Sequence, residues 1–332
     1  LILKGVIKTN MIQKIILCAF CYFICSNIAM AEDSRGEFSD YLLELQQRAI
    51  ATGVNQLTAE RYIANIKIFK KASLNTHSDE SQTLEHFIPQ AVPEITVSTA
   101  RAMFQQHESQ IENISRTYQV QSRFLMALWG MNSRFGERTG RFSGLSVLAS
   151  LAYKGDKEAF YINEFIAALK LIEQKNITED LLRSSSSGAM GQMQMMPSQI
   201  LQYGIDADKD GIIDVWSSMD DAFASTANML HQQDWQYDST WGRQVKTTMM
   251  LDPNLLGLQS HHTFPGWQAY GVRRFDGADL PQRNDMEVSL IAPDGPKGRF
   301  YLTYNNFRLL HQFNNSLYDT LAITYLSEKI KQ

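Results

Sequence analysis

The sequence predicts a mainly α protein of the α+β class, in which a small β-rich insertion interrupts a helical core. Apolar residues recur at helical spacing over 37–70, 97–152 and 161–174. Between 242 and 299, VKTTMML, GVRRFDG and VSLIAP alternate instead with Gly and Pro turns. The chain has 332 residues, 44% hydrophobic and 20% charged, which is enough to bury a substantial core. With 31 basic against 35 acidic residues, the net charge of −4 gives phosphates no global attraction and argues against a nucleic-acid partner.

Residues 1–31 read as a signal peptide with an upstream extension before Met11. Lys14 is followed by an apolar run from Ile15 to Ile24 and then by Ala29-Met30-Ala31, a small-x-small cleavage site. The run is too short to span a bilayer, so cleavage leaves no membrane anchor. Cys18, Cys21 and Cys25 all leave with this segment. Loss of Lys4, Lys8 and Lys14 takes the net charge from −4 to −7. A cysteine-free mature chain suits an oxidising exported compartment.

The mature chain divides into an N-terminal α domain over 32–95, a core over 96–241, the β-rich segment over 242–299 and a helical C-terminal part over 300–332. Residues 37–70 form two helices broken at Gly53, with Thr58 placed to cap the second. A polar stretch, Ser73 to Gln82, follows. The next clear helix has Ser122 as its N-cap and Gly136 as its stop, and carries Leu125, Leu128, Trp129 and Asn132 on one face. Asn132 is thus a polar residue on an inward stripe; a buried amide tying the helix to a loop is its plainest role.

Two further segments carry chemistry. In SSSSGAMGQMQMMPS (184–198), Gly188 and Gly191 permit close backbone approach, Gln192 and Gln194 offer amides, and Pro197 can open a helix. Amides and hydroxyls suit an uncharged, hydroxyl-rich ligand such as a sugar; a flexible Ser-rich loop before a Met-rich core helix is the alternative. In DADKDGIID (206–214), Asp206, Asp208 and Asp210 alternate, Gly211 is sixth, and Ile212 is due to offer its backbone carbonyl at the seventh position. This matches the first half of a calcium loop, whose usual twelfth-position Glu is Ser217, so a later acid such as Asp220 would close the cage. A solvated acidic turn is the alternative; structural Ca2+ fits the spacing better.

At these residues the chain resembles the lytic murein transglycosylase B family. The likeness runs through LWGMNSRFG and TGRF, SGAMGQMQMMPS, the calcium-type loop leading into DVWSSMDDAFASTANML, GVRRFDGADLP, and YLTYNNFRLLHQFNNS, in that order. It implies a lysozyme-like core with an N-terminal α domain, a small β domain and a calcium loop, and no organic cofactor. It also implies action on periplasmic peptidoglycan glycan strands, cleaving the MurNAc-β-1,4-GlcNAc bond to a 1,6-anhydro product. One carboxyl group serves that reaction as acid and then base, and the family pattern places it at Asn132.

Asp319 replaces a family tyrosine and is the substitute carboxylate to test; Glu137, five positions beyond Asn132 on the expected helix, should point elsewhere. Ser185, Gln194 and Asn314 match positions that line the family's glycan cleft. The expectation is a monomeric glycan-binding protein with impaired catalysis, whose protein partners would be cell-wall enzymes. An active transglycosylase using Asp319 is the alternative.

Overall fold

The computed structural model describes residues 37–72, 82–175 and 177–331; the signal-peptide expectation and nearly all of the polar stretch after Ser73 lie outside them. Helix α1 (37–51) buries Phe38, Leu42, Leu45 and Ala49, a helical stripe, and ends before Gly53 at φ +92°. Helix α2 (Gln56–Ile63) is capped by Asn55, whose side chain accepts from the Leu57 amide at 2.8 Å. The expected cap, Thr58, lies inside the first turn. The helix also stops at Ile63 rather than continuing to 70, because tertiary contacts capture the chain: Ile66 and Ala72 are buried and the Phe69 amide donates to Ser150 Oγ.

Helices α3 (Leu84–Ala91), α4 (Glu94–Tyr118), α5 (Ser122–Ser133), α6 (Gly144–Lys154) and α7 (Glu158–Gln174) follow, with the two-residue strands β1 (Phe142–Ser143) and β2 (Arg183–Ser184) pairing antiparallel. Next come α8 (Pro197–Tyr203) and α9 (Met219–Gln232). Pro197 opens α8, as expected of a proline at a first turn. The N-terminal helices share one hydrophobic cluster with the core, running from Phe38 through Phe124 and Phe165 to Ile330. The boundary drawn at 95 therefore falls in the first turn of α4, with no separate core among the described residues on its N-terminal side.

The β-rich part is an antiparallel sheet of β3 (Gly242–Thr247), β4 (His262–Thr263), β5 (Val272–Arg274), β6 (Glu287–Ile291) and β7 (Phe300–Thr303), ordered β4-β6-β7-β3-β5, with the short helix α10 (Phe264–Ala269) packed on it. The boundary at 299 cuts off β7, the middle strand. All four of its residues are buried. Phe300 and Leu302 face the sheet's own cluster with Trp267 and Leu290, whereas Tyr301 joins the main core. A strand covered on both faces loses its alternation, which is why the sequence pattern missed it. Helices α11 (Asn305–Asn314) and α12 (Leu317–Ile330) return the chain to the helical core, with α12 against α5.

Candidate active site

The site forms where α5 ends. Ser122 is its first helical residue rather than its cap, and the helix stops at Ser133, short of Gly136. Arg134, Phe135 and Gly136 then take left-handed conformations in succession (φ 54°, 58° and 86°), swinging the chain away from the helix axis. This turn corrects the expectation for Glu137. It does not continue the helix but lines the same cavity as Asn132.

Asn132 is half-buried on the last turn of α5. Its Nδ2 donates to the Met193 carbonyl at 3.0 Å, and its Oδ1 accepts from Asn314 Nδ2 at 3.3 Å. Met193 belongs to a strap whose Met190 and Met195 exchange backbone hydrogen bonds at 2.8 and 2.9 Å. Behind it, the buried Trp129 indole donates to Gln192 Oε1 at 2.9 Å. Gly191 has φ +74°, and a Cβ there would sit 2.6 Å from the Val215 carbonyl. The Gly/Gln segment is thus a tightly fitted strap, not a loose serine-rich loop.

Two cavities, of about 540 and 570 Å³, meet along Asn132 and Gln194, which line both. Ser185, Arg138 and Arg141 line the first, whereas Asn314, Asp319, Lys157 and Glu164 line the second. Gln194, at φ 55°, donates its Nε2 to the Gly191 carbonyl at 2.8 Å. Ser185 Oγ lies 3.0 Å from Ser187 Oγ. Asn315, at φ 50°, turns α11 into α12, and the Asp319 amide donates to Ser316 Oγ at 3.1 Å. The structure thereby brings Asn132, Ser185, Gln194, Asn314 and Asp319 to one cleft lined with amides, hydroxyls and carboxylates. Asn132 itself has no carboxyl proton to give and no base to take one near neutral pH.

Glu164 is a cleft residue that the sequence reading missed. Only 4% exposed, it accepts from the Ser198 amide at 2.9 Å and from Ser198 Oγ at 2.7 Å, pinning the strap's exit into α8. Burial raises its carboxyl above the ordinary range, against the two Ser198 hydrogen bonds that lower it. The signal was present: a glutamate three positions after Tyr161, on the otherwise apolar stripe of α7.

In the acidic loop, carboxylate oxygens of Asp206, Asp208 and Asp210 lie within 4.8 Å of one another. Asp206 accepts from the Gly211 amide at 2.9 Å and Asp210 from the Ile212 amide at 2.8 Å, with Gly211 at φ +92°. Hard oxygen donors in this winding fit a calcium ion, and Ile212 stands at the carbonyl position. Asp220 does not join the three: its carboxylate accepts from Gln110 on α4 at 3.3 Å. The acid that closes the loop internally is Asp221, fully buried, which accepts the Ala207 and Asp214 amides at 2.7 and 2.8 Å. The loop's exit touches the cleft, since Val215 accepts from the Gln192 amide at 2.9 Å and Trp216 Nε1 donates to the Arg183 carbonyl at 2.7 Å.

Residues 37–328 match the family model described as transglycosylase SLT domain. The chain is 26% identical over 241 residues to the membrane-bound lytic murein transglycosylase B of Escherichia coli K12, covering 70% of this chain and 63% of that protein, just under two thirds of the relative's length. Solved structures of SltB3 from Pseudomonas aeruginosa, in complex with NAG-NAM-pentapeptide and with NAG-anhNAM-pentapeptide, are 30% identical with a TM-score of 0.76, covering 89% of this chain and 79% of theirs. Escherichia coli Slt35, solved in complex with calcium, shares the fold at 20% identity and a TM-score of 0.74, covering 87% of this chain and 92% of Slt35.

Proposed function

The chain belongs to the transglycosylase SLT domain family, and from that premise we propose that it binds the glycan strands of peptidoglycan in the cleft around Asn132, with glycan-cleaving chemistry impaired by the amide at that position. One observation supports this: Asn132, the residue to which the resemblance assigns the family's acid, lies where the two cavities meet, held by Met193 and Asn314. Ser185, Gln194 and Asn314 would contact the sugars through hydroxyl and amide groups. An amide cannot protonate a glycosidic oxygen, and loss of a general acid costs ~10²–10⁴ in rate, more where one group serves as both acid and base.

A second reading is favoured by Asp319, which lines the same cavity as Asn132. In it Asp319 would protonate the glycosidic oxygen and then accept the proton of the muramyl C6 hydroxyl as that oxygen attacks C1, closing the 1,6-anhydro ring. Incubation with purified peptidoglycan separates the two. Saturable sacculus binding without 1,6-anhydro muropeptides supports the first, and product that vanishes in Asp319→Asn supports the second.

Asp206, Asp208, Asp210 and the Ile212 carbonyl would hold Ca2+, which when bound would neutralise the loop's three carboxylates. Export to the periplasm, resting on residues 11–31, places the protein with its ligand.

A further inference from the structure

Arg308, on α11, has a buried Nε without a hydrogen-bond partner, and among the described residues its guanidinium enters no ion pair. What holds the side chain is a histidine: Nη2 donates to His261 Nδ1 at 2.8 Å and lies 3.5 Å from Ser289 Oγ. Ser289 Oγ in turn lies 2.9 Å from the same His261 nitrogen and 3.2 Å from the Leu258 carbonyl. Three parts of the chain meet there, the loop before β4, the strand β6 and the helix α11.

A guanidinium has no lone pair to offer, so His261 Nδ1 is the acceptor and the proton of the neutral ring sits on Nε2. Ser289 is fully buried, which leaves the Ser–His pair a structural contact rather than a nucleophile. A proton added to Nδ1 removes the lone pair toward which both neighbours point and sets a second cation against the guanidinium. The charged groups facing His261 are Arg308 from α11, Glu287 from β6 and His262 from β4, and Glu287, the acid among them, is exposed. Burial, and after it the Arg308 charge, hold the imidazole below the ordinary histidine range; His262 adds to the lowering and Glu287 opposes it.

We propose that His261 and Arg308 form a pH-sensitive clasp between the small sheet and α11, closed while His261 is neutral and released when it takes up a proton. The same helix runs on from Arg308 to Asn314 at the cleft, and closure of the clasp does not depend on what the cleft binds. Since the folded protein holds the His261 proton more weakly than the unfolded chain does, the clasp's contribution to stability is complete above the unfolded value of about pH 6.5. It is lost as pH falls from there toward the folded value.

Two measurements on the full chain test this. Long-range proton–nitrogen NMR, with His261 assigned through its backbone, should show the Nε2–H tautomer at neutral pH and a titration midpoint below about pH 6.5. In Arg308→Met, which keeps the site apolar and removes the charge, that midpoint should move up. In His261→Gln the side-chain oxygen accepts from Arg308 at every pH. The urea midpoint of the unaltered protein should therefore fall relative to that of His261→Gln as pH drops from about 7.5 to about 5, with a stability slope of at most about one proton. An Nδ1–H tautomer, or a midpoint at or above the ordinary histidine value, overturns the inference on the unaltered protein alone, whether or not a variant folds. A midpoint unmoved in Arg308→Met, or parallel urea profiles for His261→Gln and the unaltered protein, overturns it as well.

Discussion

Asn314 Nδ2 donates to Asn132 Oδ1 at 3.3 Å, so two amides from α11 and α5, 182 positions apart, close on each other across the cleft. With the other end of Asn132 donating to Met193, the amide has a full role as a structural link. Asn132→Glu would place a carboxyl group where the amide now sits. If the remaining cleft is intact, release of 1,6-anhydro muropeptides should rise at least about 10²-fold over the unaltered protein. An unchanged product profile would show that Asp319 has also altered the cleft.

Glu164→Gln separates charge from hydrogen bonding. The glutamine oxygen can accept from the Ser198 amide while its NH2 donates to Ser198 Oγ, and the cost of a buried charge disappears. Because burial raises the Glu164 carboxyl, the folded protein holds that proton more tightly than the unfolded chain does. Its contribution to stability is therefore present at low pH and lost as pH rises through the raised value. Melting temperatures from about pH 4 to about pH 8 should show the variant equal to or above the unaltered protein at neutral pH, the gap narrowing toward acid. A variant that melts lower throughout would contradict this sign.

Calcium should raise the melting temperature, by an amount equivalent to about 2.7 kcal/mol at a hundred-fold excess over the dissociation constant. Asp208→Ala removes one of the three clustered carboxylates and should abolish the rise. No shift at millimolar calcium in the unaltered protein counts against the metal.

Trp129→Phe strips the donor from a buried hydrogen bond and leaves Gln192 Oε1 without it. A loss of about 1–3 kcal/mol in urea denaturation is expected. Since Gln192 also ties the strap to Val215, glycan affinity should fall with stability.

Gly140→Ala forces a side chain into the left-handed region with its Cβ against the Arg183 carbonyl, where backbone cannot give way cheaply. The cost should exceed about 1 kcal/mol, read from the shift of the urea midpoint. A neutral result would mean that the turn leading into β1 yields more easily than its hydrogen bonds indicate.

Local pattern in the sequence sufficed for much of this protein. Helical periodicity marked the α character, Pro197 marked the start of α8, alternating aspartates marked the acidic loop, and the family motifs marked Asn132, Ser185, Gln194, Asn314 and Asp319 as residues of one cleft. Each of those signals lies within a few neighbouring residues or within a single motif. Tertiary structure decided what depends on chain reversal and on burial from two sides. Three successive left-handed residues after Ser133 brought Glu137 and Arg138 into the cleft, and no periodicity encodes that turn. Strand β7 lost its alternation because cores press on both its faces. The sequence offered Asp220 to the acidic loop, but Gln110 of a distant helix holds it, and Asp221 closes the loop instead. A carboxylate's partner is set by which donors the fold places within hydrogen-bond reach, and that distance is not written in the spacing of the chain.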